Sequence, residues 1–131
     1  MRRPAGDGGA AVVEFLMVSV LLIALLMAVV QVGLYLHVRN VVAASAAEGA
    51  RYGADFGRNP AVAGPKADEV IGQALSSHTA DGIACTGQPA GGAGGSVLVT
   101  VRCRGSVPLV FSWLGSLPGL DVTARALKEG P

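Results

Sequence analysis

An uninterrupted apolar segment near the start of the chain constrains the fold more than any other feature. Residues 15–36 read FLMVSVLLIALLMAVVQVGLYL and contain no Asp, Glu, Lys or Arg. As an α-helix this segment would be about 33 Å long, close to the thickness of the hydrocarbon core of a bilayer. The sequence therefore predicts a transmembrane helix over residues 15–36, with the lipid bilayer as its surroundings.

Two other interpretations of this segment stay open. A buried core helix needs apolar surface around it, and the rest of the chain offers little. A secretory signal peptide would account for Arg2, Arg3 and the small residues at 43–47, and cleavage near Ala46 would release the remainder. However, the apolar part of a signal peptide is only about 7–15 residues long. A retained span is therefore the favoured interpretation.

Composition excludes several function classes. The formal net charge is +1 and charged residues make up 15% of the chain, so neither a nucleic-acid-binding surplus nor an acidic tail is present. His37 and His78 have no cysteine or carboxylate at metal-ligand spacing. The sequence thus predicts no enzyme, no metal, no cofactor and no nucleic-acid partner.

The two cysteines, Cys85 and Cys103, both follow the apolar segment. An isolated pair is more typical of a disulfide than of a zinc site, although two unpaired buried thiols remain the alternative. A disulfide needs an oxidising compartment. We therefore expect a single-pass protein of the cell membrane, with a cytoplasmic amino terminus and an extracytoplasmic C-terminal domain.

Glu14 lies at the start of the apolar stretch, where a carboxylate is costly. It could be a border residue that reaches the headgroups. Alternatively, cleavage after Gly9 would make Ala10 a new amino terminus, whose ammonium could neutralise Glu14 between neighbouring helices.

Two stretches, GAAVVEF at 9–15 and EGARYGA at 48–54, carry a family resemblance. Together with the span between them, they resemble the TadE-like family of tight-adherence (Tad, or Flp-type) pilus systems, over residues 9 to about 54. The resemblance implies a minor pilin or pseudopilin, cleaved by a prepilin peptidase between Gly9 and Ala10. It also implies an assembly or processing role for Glu14, followed by Phe15 as the matching aromatic. Other pilins and Tad assembly proteins would be its partners. The alternative is a membrane-anchored extracytoplasmic binding module unrelated to pili.

The helical pattern continues beyond the membrane, so one helix is predicted over residues 11–56. Its apolar or small residues recur at helical spacing and mark one face: Val41, Val42, Ser45, Ala46, Gly49, Ala50, Gly53 and Ala54. Gly49, Gly53 and Gly57 form a row that permits close helix packing. The same glycines could instead weaken the helix end.

The remaining chain predicts a small helix and antiparallel strands, giving an α+β fold overall. A helix opens at Gly64–Pro65 and ends near Ser76, with Val70, Ile71, Ala74 and Leu75 as its apolar face. Residues 78–95 are interpreted as a loop with a glycine-rich hairpin tip. Strands are predicted at 96–103 and at 120–127, and residues 107–111 are either a further strand or a descending segment interrupted by Pro108. Phe111, Trp113, Leu114 and Leu117 are interpreted as core or sheet-cover residues, with a partner-binding surface as the alternative.

The predicted organisation has three parts. Residues 1–9 form a leader, residues 10–57 form the TadE-like region with the span, and residues 58–131 form the extracytoplasmic domain.

Overall fold

The computed structural model describes residues 7–109 and 119–130. It contains a long helix, two shorter helices and a three-stranded antiparallel sheet, so the predicted α+β class is confirmed. The elements are α1 (Asp7–Ala54), α2 (Ala63–Ala74), α3 (Ser77–Ala80), β1 (Ile83–Gly91), β2 (Val97–Gly105) and β3 (Leu120–Leu127). The chain divides into two compact units, Met1–Leu34 and Tyr35–Pro131.

The long helix α1 confirms the predicted continuous helix, although it starts four residues earlier and ends two residues earlier. Its end follows from local chemistry. Gly57 has a φ of 77°, in the left-handed region that glycine adopts at little cost. Asn59 then accepts a hydrogen bond from the Ala61 N–H at 2.9 Å and caps a short 3-10 turn that begins at Pro60.

One face of α1, from Val38 onward, is buried in the core of the C-terminal unit (Tyr35–Pro131). The buried residues of this face are small and recur every three or four positions: Val38, Val42, Ser45, Ala46, Gly49, Ala50, Gly53 and Ala54. All but Val38 belong to the face predicted from the sequence, which is thereby confirmed. Ser45 satisfies its buried hydroxyl by donating to the Val41 carbonyl at 2.8 Å.

The predicted helix α2 is present, but the apolar face predicted for it is only partly correct. Ile71 is buried, whereas Val70 and Leu75 are half-buried and Ala74 is exposed. The other buried positions are Ala63, Gly64 and Ala67. The short side chains face inward because this part of α2 lies against other backbone, which leaves no room for larger groups.

The sheet has the strand order β1-β2-β3 with antiparallel pairing throughout. The predicted strand at 96–103 is confirmed as β2, whose Val99, Val101 and Cys103 are buried whereas Val97 is exposed. The predicted final strand at 120–127 is also confirmed. Val107 is buried but residues 106–109 are not in a strand, and the rest of the strand predicted at 107–111 lies outside the described residues, as do Phe111, Trp113, Leu114 and Leu117.

The prediction of a loop at 78–95 is wrong. This segment contains α3 and the nine-residue strand β1. Glycine and proline hide the strand pattern, yet an edge strand accommodates Pro89 because one of its two sides makes no sheet hydrogen bonds. Only the glycine-rich tip behaves as expected: the Gly92 N–H donates to the Ser96 carbonyl at 2.8 Å and closes the connection between β1 and β2.

The predicted disulfide between Cys85 and Cys103 is present. The two residues lie directly opposite each other in the β1–β2 register, and both are buried. The bond therefore ties the edge strand covalently to the central strand, inside the core rather than at its surface.

Gly49 provides a test of the contact between α1 and α2. A Cβ on Gly49 would lie 2.8 Å from the Ala67 Cβ and would also meet the Ala63 carbonyl oxygen, whereas a Cβ on Gly72 in α2 would meet nothing within 4 Å. Both substitutions gain helix propensity, but only Gly49→Ala overpacks the contact with α2. We therefore expect Gly49→Ala to lower the free energy of unfolding by about 1–3 kcal/mol relative to Gly72→Ala. Urea denaturation followed by near-ultraviolet circular dichroism measures the difference. Equal effects of the two substitutions would contradict the close contact.

Candidate functional site

The first candidate surface is the apolar part of α1 up to Leu34. None of residues 8–34 is buried, and Phe15 and Leu21 are 70% and 69% exposed. The helix reaches a mean hydropathy of 2.8 over its most apolar window, so it is long and apolar enough to cross a membrane. Exposing such a surface to water costs a large hydrophobic free energy, so the surface is suited to contact with lipid or with other apolar helices.

Glu14 and Phe15 lie within this surface, and both side chains are exposed. The aromatic ring and the carboxylate are sequence neighbours, so they project about 100° apart around the helix. Glu14 is the only acidic residue between Gly8 and Leu34. Its carboxylate is therefore available to a cationic group from another chain.

Gly9 and Ala10 lie in the first turn of α1, which begins at Asp7. A Cβ on Gly9 would meet nothing within 4 Å, and neither would one on the neighbouring Gly8. The bond between Gly9 and Ala10 is thus exposed in this unit. A side chain added at Gly8 or Gly9 leaves the packing of the unit unchanged.

The second stretch singled out in the sequence, EGARYGA at 48–54, combines buried and exposed positions. Gly49 and Gly53 are buried against α2, and a Cβ on Gly53 would lie 2.7 Å from the Ala63 Cβ. Glu48 and Arg51 are exposed and form no ion pair with each other. Gly49 and Gly53 thus lie at a close contact within the chain itself.

Gly57 is the third glycine of the predicted row, and it lies beyond the end of α1. A Cβ there would meet nothing within 4 Å. Its positive φ explains the glycine instead, because the chain turns at this point.

The model of the family described as TadE-like protein matches residues 9–51, about a third of the chain. The resemblance of this segment to the TadE-like family is thereby confirmed. A TadE-like domain points to a role related to the Tad pilus. Neither the curated proteins nor the solved structures contain a match.

The TadE-like segment ends just before Tyr52, whose ring lies beneath two cations. The Arg58 guanidinium carbon is 3.7 Å from the ring centroid and the Lys66 ammonium is 5.4 Å from it. Arg58 also pairs with Asp55 at 3.3 Å, and its carbonyl accepts a hydrogen bond from Lys128 at 2.7 Å. Sequence reasoning missed this cluster, which joins the end of α1 to the residues after β3.

Asp68 has a role that its position near the start of α2 did not reveal. Its Oδ1 accepts a hydrogen bond from the Cys85 N–H at 2.9 Å. This N–H belongs to the side of β1 that faces away from β2, so Asp68 caps the edge of the sheet. Burial raises the pKa of Asp68 above its ordinary value, and the hydrogen bond from Cys85 opposes that rise.

The outer face of the sheet, on the side opposite α1, carries an ion-pair cluster that sequence reasoning also missed. Arg102 donates to both carboxylate oxygens of Asp121, through Nε at 2.9 Å and through Nη2. The Arg104 Nε lies 3.5 Å from the same carboxylate. The hydrogen bond from Arg102 holds the pKa of Asp121 below its usual range, and Arg104 adds to the effect.

Neither histidine joins a cluster with other ligand types. His37 lies in α1 and His78 in α3. Within residues 7–109 and 119–130, no group of three or more His, Cys, Asp or Glu side chains could hold a metal ion.

Substitutions of Asp68 separate its hydrogen bond from its charge. Because the folded-state pKa is raised, the charged carboxylate opposes folding at pH values above that raised pKa, and this penalty fades as the pH falls from there towards the ordinary value of 3.8. We expect Asp68→Asn, which keeps an acceptor oxygen, to be at least as stable as the wild type at pH 7. Asp68→Ala should lower the free energy of unfolding by about 0.5–1.5 kcal/mol, because the Cys85 N–H loses its acceptor. Urea denaturation at pH 7 and pH 3 measures both; an Asn variant as unstable as the Ala variant would refute the capping role.

Proposed function

We propose that the protein is a minor pilin or pseudopilin that acts in the assembly of Tad (Flp-type) pili. The observation that carries this proposal is the TadE-like match over residues 9–51, on a helix whose first part is apolar and exposed. A subunit of this kind needs a helix that leaves the membrane and packs among other helices. The proposal assigns no catalytic role to the chain.

The proposed topology has a cytoplasmic amino terminus, one membrane span and an extracytoplasmic C-terminal unit. The disulfide between Cys85 and Cys103 supports this direction, because disulfides persist in oxidising compartments. Lys and Arg near the two ends of the span are nearly balanced, with Arg2 and Arg3 on one side and Arg39 and Arg51 on the other. Charge therefore contributes little to the orientation, and the cysteines carry it.

The proposed mechanism has two steps. A prepilin peptidase hydrolyses the peptide bond between Gly9 and Ala10, releasing the leader and leaving an ammonium on Ala10. The carboxylate of Glu14 on one helix then pairs with that ammonium on a neighbouring helix. Each charge makes burial of the other tolerable among apolar side chains, and the pair fixes the axial register of the two helices. Other pilins, the Tad assembly proteins and the peptidase are the proposed partners.

Processing is tested by amino-terminal sequencing of the protein recovered from the membrane fraction. We expect the mature chain to begin at Ala10. Gly9→Val should leave the precursor uncut, because the peptidase would meet a branched side chain at the scissile bond. Gly8→Val is the matched control, since neither position has an atom within 4 Å of a new Cβ.

Three results would count against processing as proposed. A wild-type chain beginning at Met1 would refute cleavage, and equal cleavage of the two valine variants would refute the site. A chain beginning near Ala47 would refute the pilin proposal entirely, because the span would have been removed.

The assembly role of Glu14 is tested with Glu14→Gln, which keeps the shape and removes the charge. We expect surface pili to fall at least about tenfold while the amount of protein in the membrane is unchanged, because the ammonium of Ala10 would be buried without a partner. Val12→Ala, at an exposed position on the same turn of α1, is the control. Sheared pili are quantified by immunoblot in cells that carry the chain's own pilus system.

A membrane-anchored binding module unrelated to pili predicts a different outcome. Its span needs only to be apolar, so Glu14→Gln would leave the cells' surface structures unchanged. That result, with normal membrane levels of the variant, would contradict the assembly role.

A further inference from the structure

The outer face of the sheet is polar and carries more positive than negative charge. A hollow of about 530 Å³ lies over this face. Its lining consists of one alanine, four uncharged polar side chains and three arginines, Arg102, Arg104 and Arg125, without a carboxylate among the described residues. The other side of the same strands is apolar and buried, so the polar residues here are not required by the core.

The ion pairs on this face leave two positive charges unbalanced. Asp121 is the carboxylate that meets both Arg102 and Arg104. Arg125 forms no ion pair within the described part of the chain. Since the whole chain has a formal net charge of only +1, the excess on this face is a local feature.

Thr100 lies beside Arg125 and has an unused hydroxyl. Its Oγ1 is buried and has no hydrogen-bond partner among the described residues. In the register of the sheet, Thr100 stands directly opposite Gln88 on one side and Arg125 on the other. A buried hydroxyl without a partner is costly, and an anionic oxygen held by Arg125 could accept its hydrogen bond.

We propose that this face binds an acidic, extended segment of a partner protein, with Arg125 and Thr100 holding one of its carboxylates. Arg102 already binds the Asp121 carboxylate through two nitrogens, so the face fits the planar geometry of this group. Arginines two residues apart on a strand are separated by about 7 Å, which is also the spacing of alternate side chains in an extended peptide. Arg102 and Arg104 already share the Asp121 carboxylate, so Arg125 on the neighbouring strand is the arginine of this face that is left for a ligand.

This inference is independent of the proposed role in pili. Every residue that carries it follows residue 51, where the TadE-like match ends. A failure of peptide binding would leave the processing of Gly9 and the role of Glu14 untouched, and the converse also holds.

The test uses the full chain held in phosphatidylcholine nanodiscs and a fluorescein-labelled peptide of alternating glutamate and serine. Fluorescence anisotropy at low ionic strength gives the dissociation constant. We expect Arg125→Gln to weaken binding about tenfold, because charge-assisted hydrogen bonds are lost. Thr100→Val, which keeps the shape without the hydroxyl, should weaken it about threefold, and physiological salt should weaken all binding.

Arg51→Gln is the matched control, because it removes the same charge from an exposed position of α1 away from the sheet face. It should change the dissociation constant by less than about twofold. Equal losses in Arg51→Gln and Arg125→Gln would show that binding follows net charge, and would overturn the proposal. So would Arg125-dependent co-sedimentation with phosphatidylglycerol vesicles in the absence of Arg125-dependent peptide binding, since the face would then recognise lipid phosphates.

Discussion

The C-terminal unit depends on the close approach of other elements to one face of α1. No buried side chain on this face is larger than valine, and at Gly49 and Gly53 there is none at all. Ala63 and Ala67 of α2 therefore come within contact of the helix backbone, and Val99 of β2 lies beside Gly53. Larger core side chains come from α2 and β2, where Ile71, Val99 and Val101 are fully buried. Close packing of this kind tolerates little added volume.

The same helix carries two different surfaces. Up to Leu34 its side chains are mostly large, apolar and exposed, whereas from Val38 one face carries small and buried residues. Helix geometry alone does not distinguish the two parts. The side chains do, because the small ones contact the chain's own elements whereas the large apolar ones are exposed. In the proposed function, one helix serves both as an anchor and as part of a domain.

Much of this fold could be predicted from the sequence, and the exceptions have physical causes. The helix α1 and the strands β2 and β3 have regular apolar patterns, which local propensity and burial both favour. The strand β1 lacks such a pattern, because Gly87 and Pro89 interrupt it. It is held by non-local contacts instead: its pairing with β2, the disulfide to Cys103 and the hydrogen bond from Cys85 to Asp68. The outer arginines were missed for a related reason. Only the register of β2 against β3 brings Arg102 beside Asp121 and Arg125 beside Thr100.

The two edges of the sheet are secured in unequal ways. The edge strand β1 is joined to β2 by the Cys85–Cys103 bond, and its outer side is capped by Asp68 and contacts the start of α2. The strand β3 is held to β2 by the backbone ladder and, on the outer face, by the exposed ion pairs of Asp121. Exposed ion pairs add little to such a ladder. Within the described part of the chain, we therefore expect local opening of the sheet to start at β3, and the amide protons of β3 to exchange with solvent before those that β2 shares with β1.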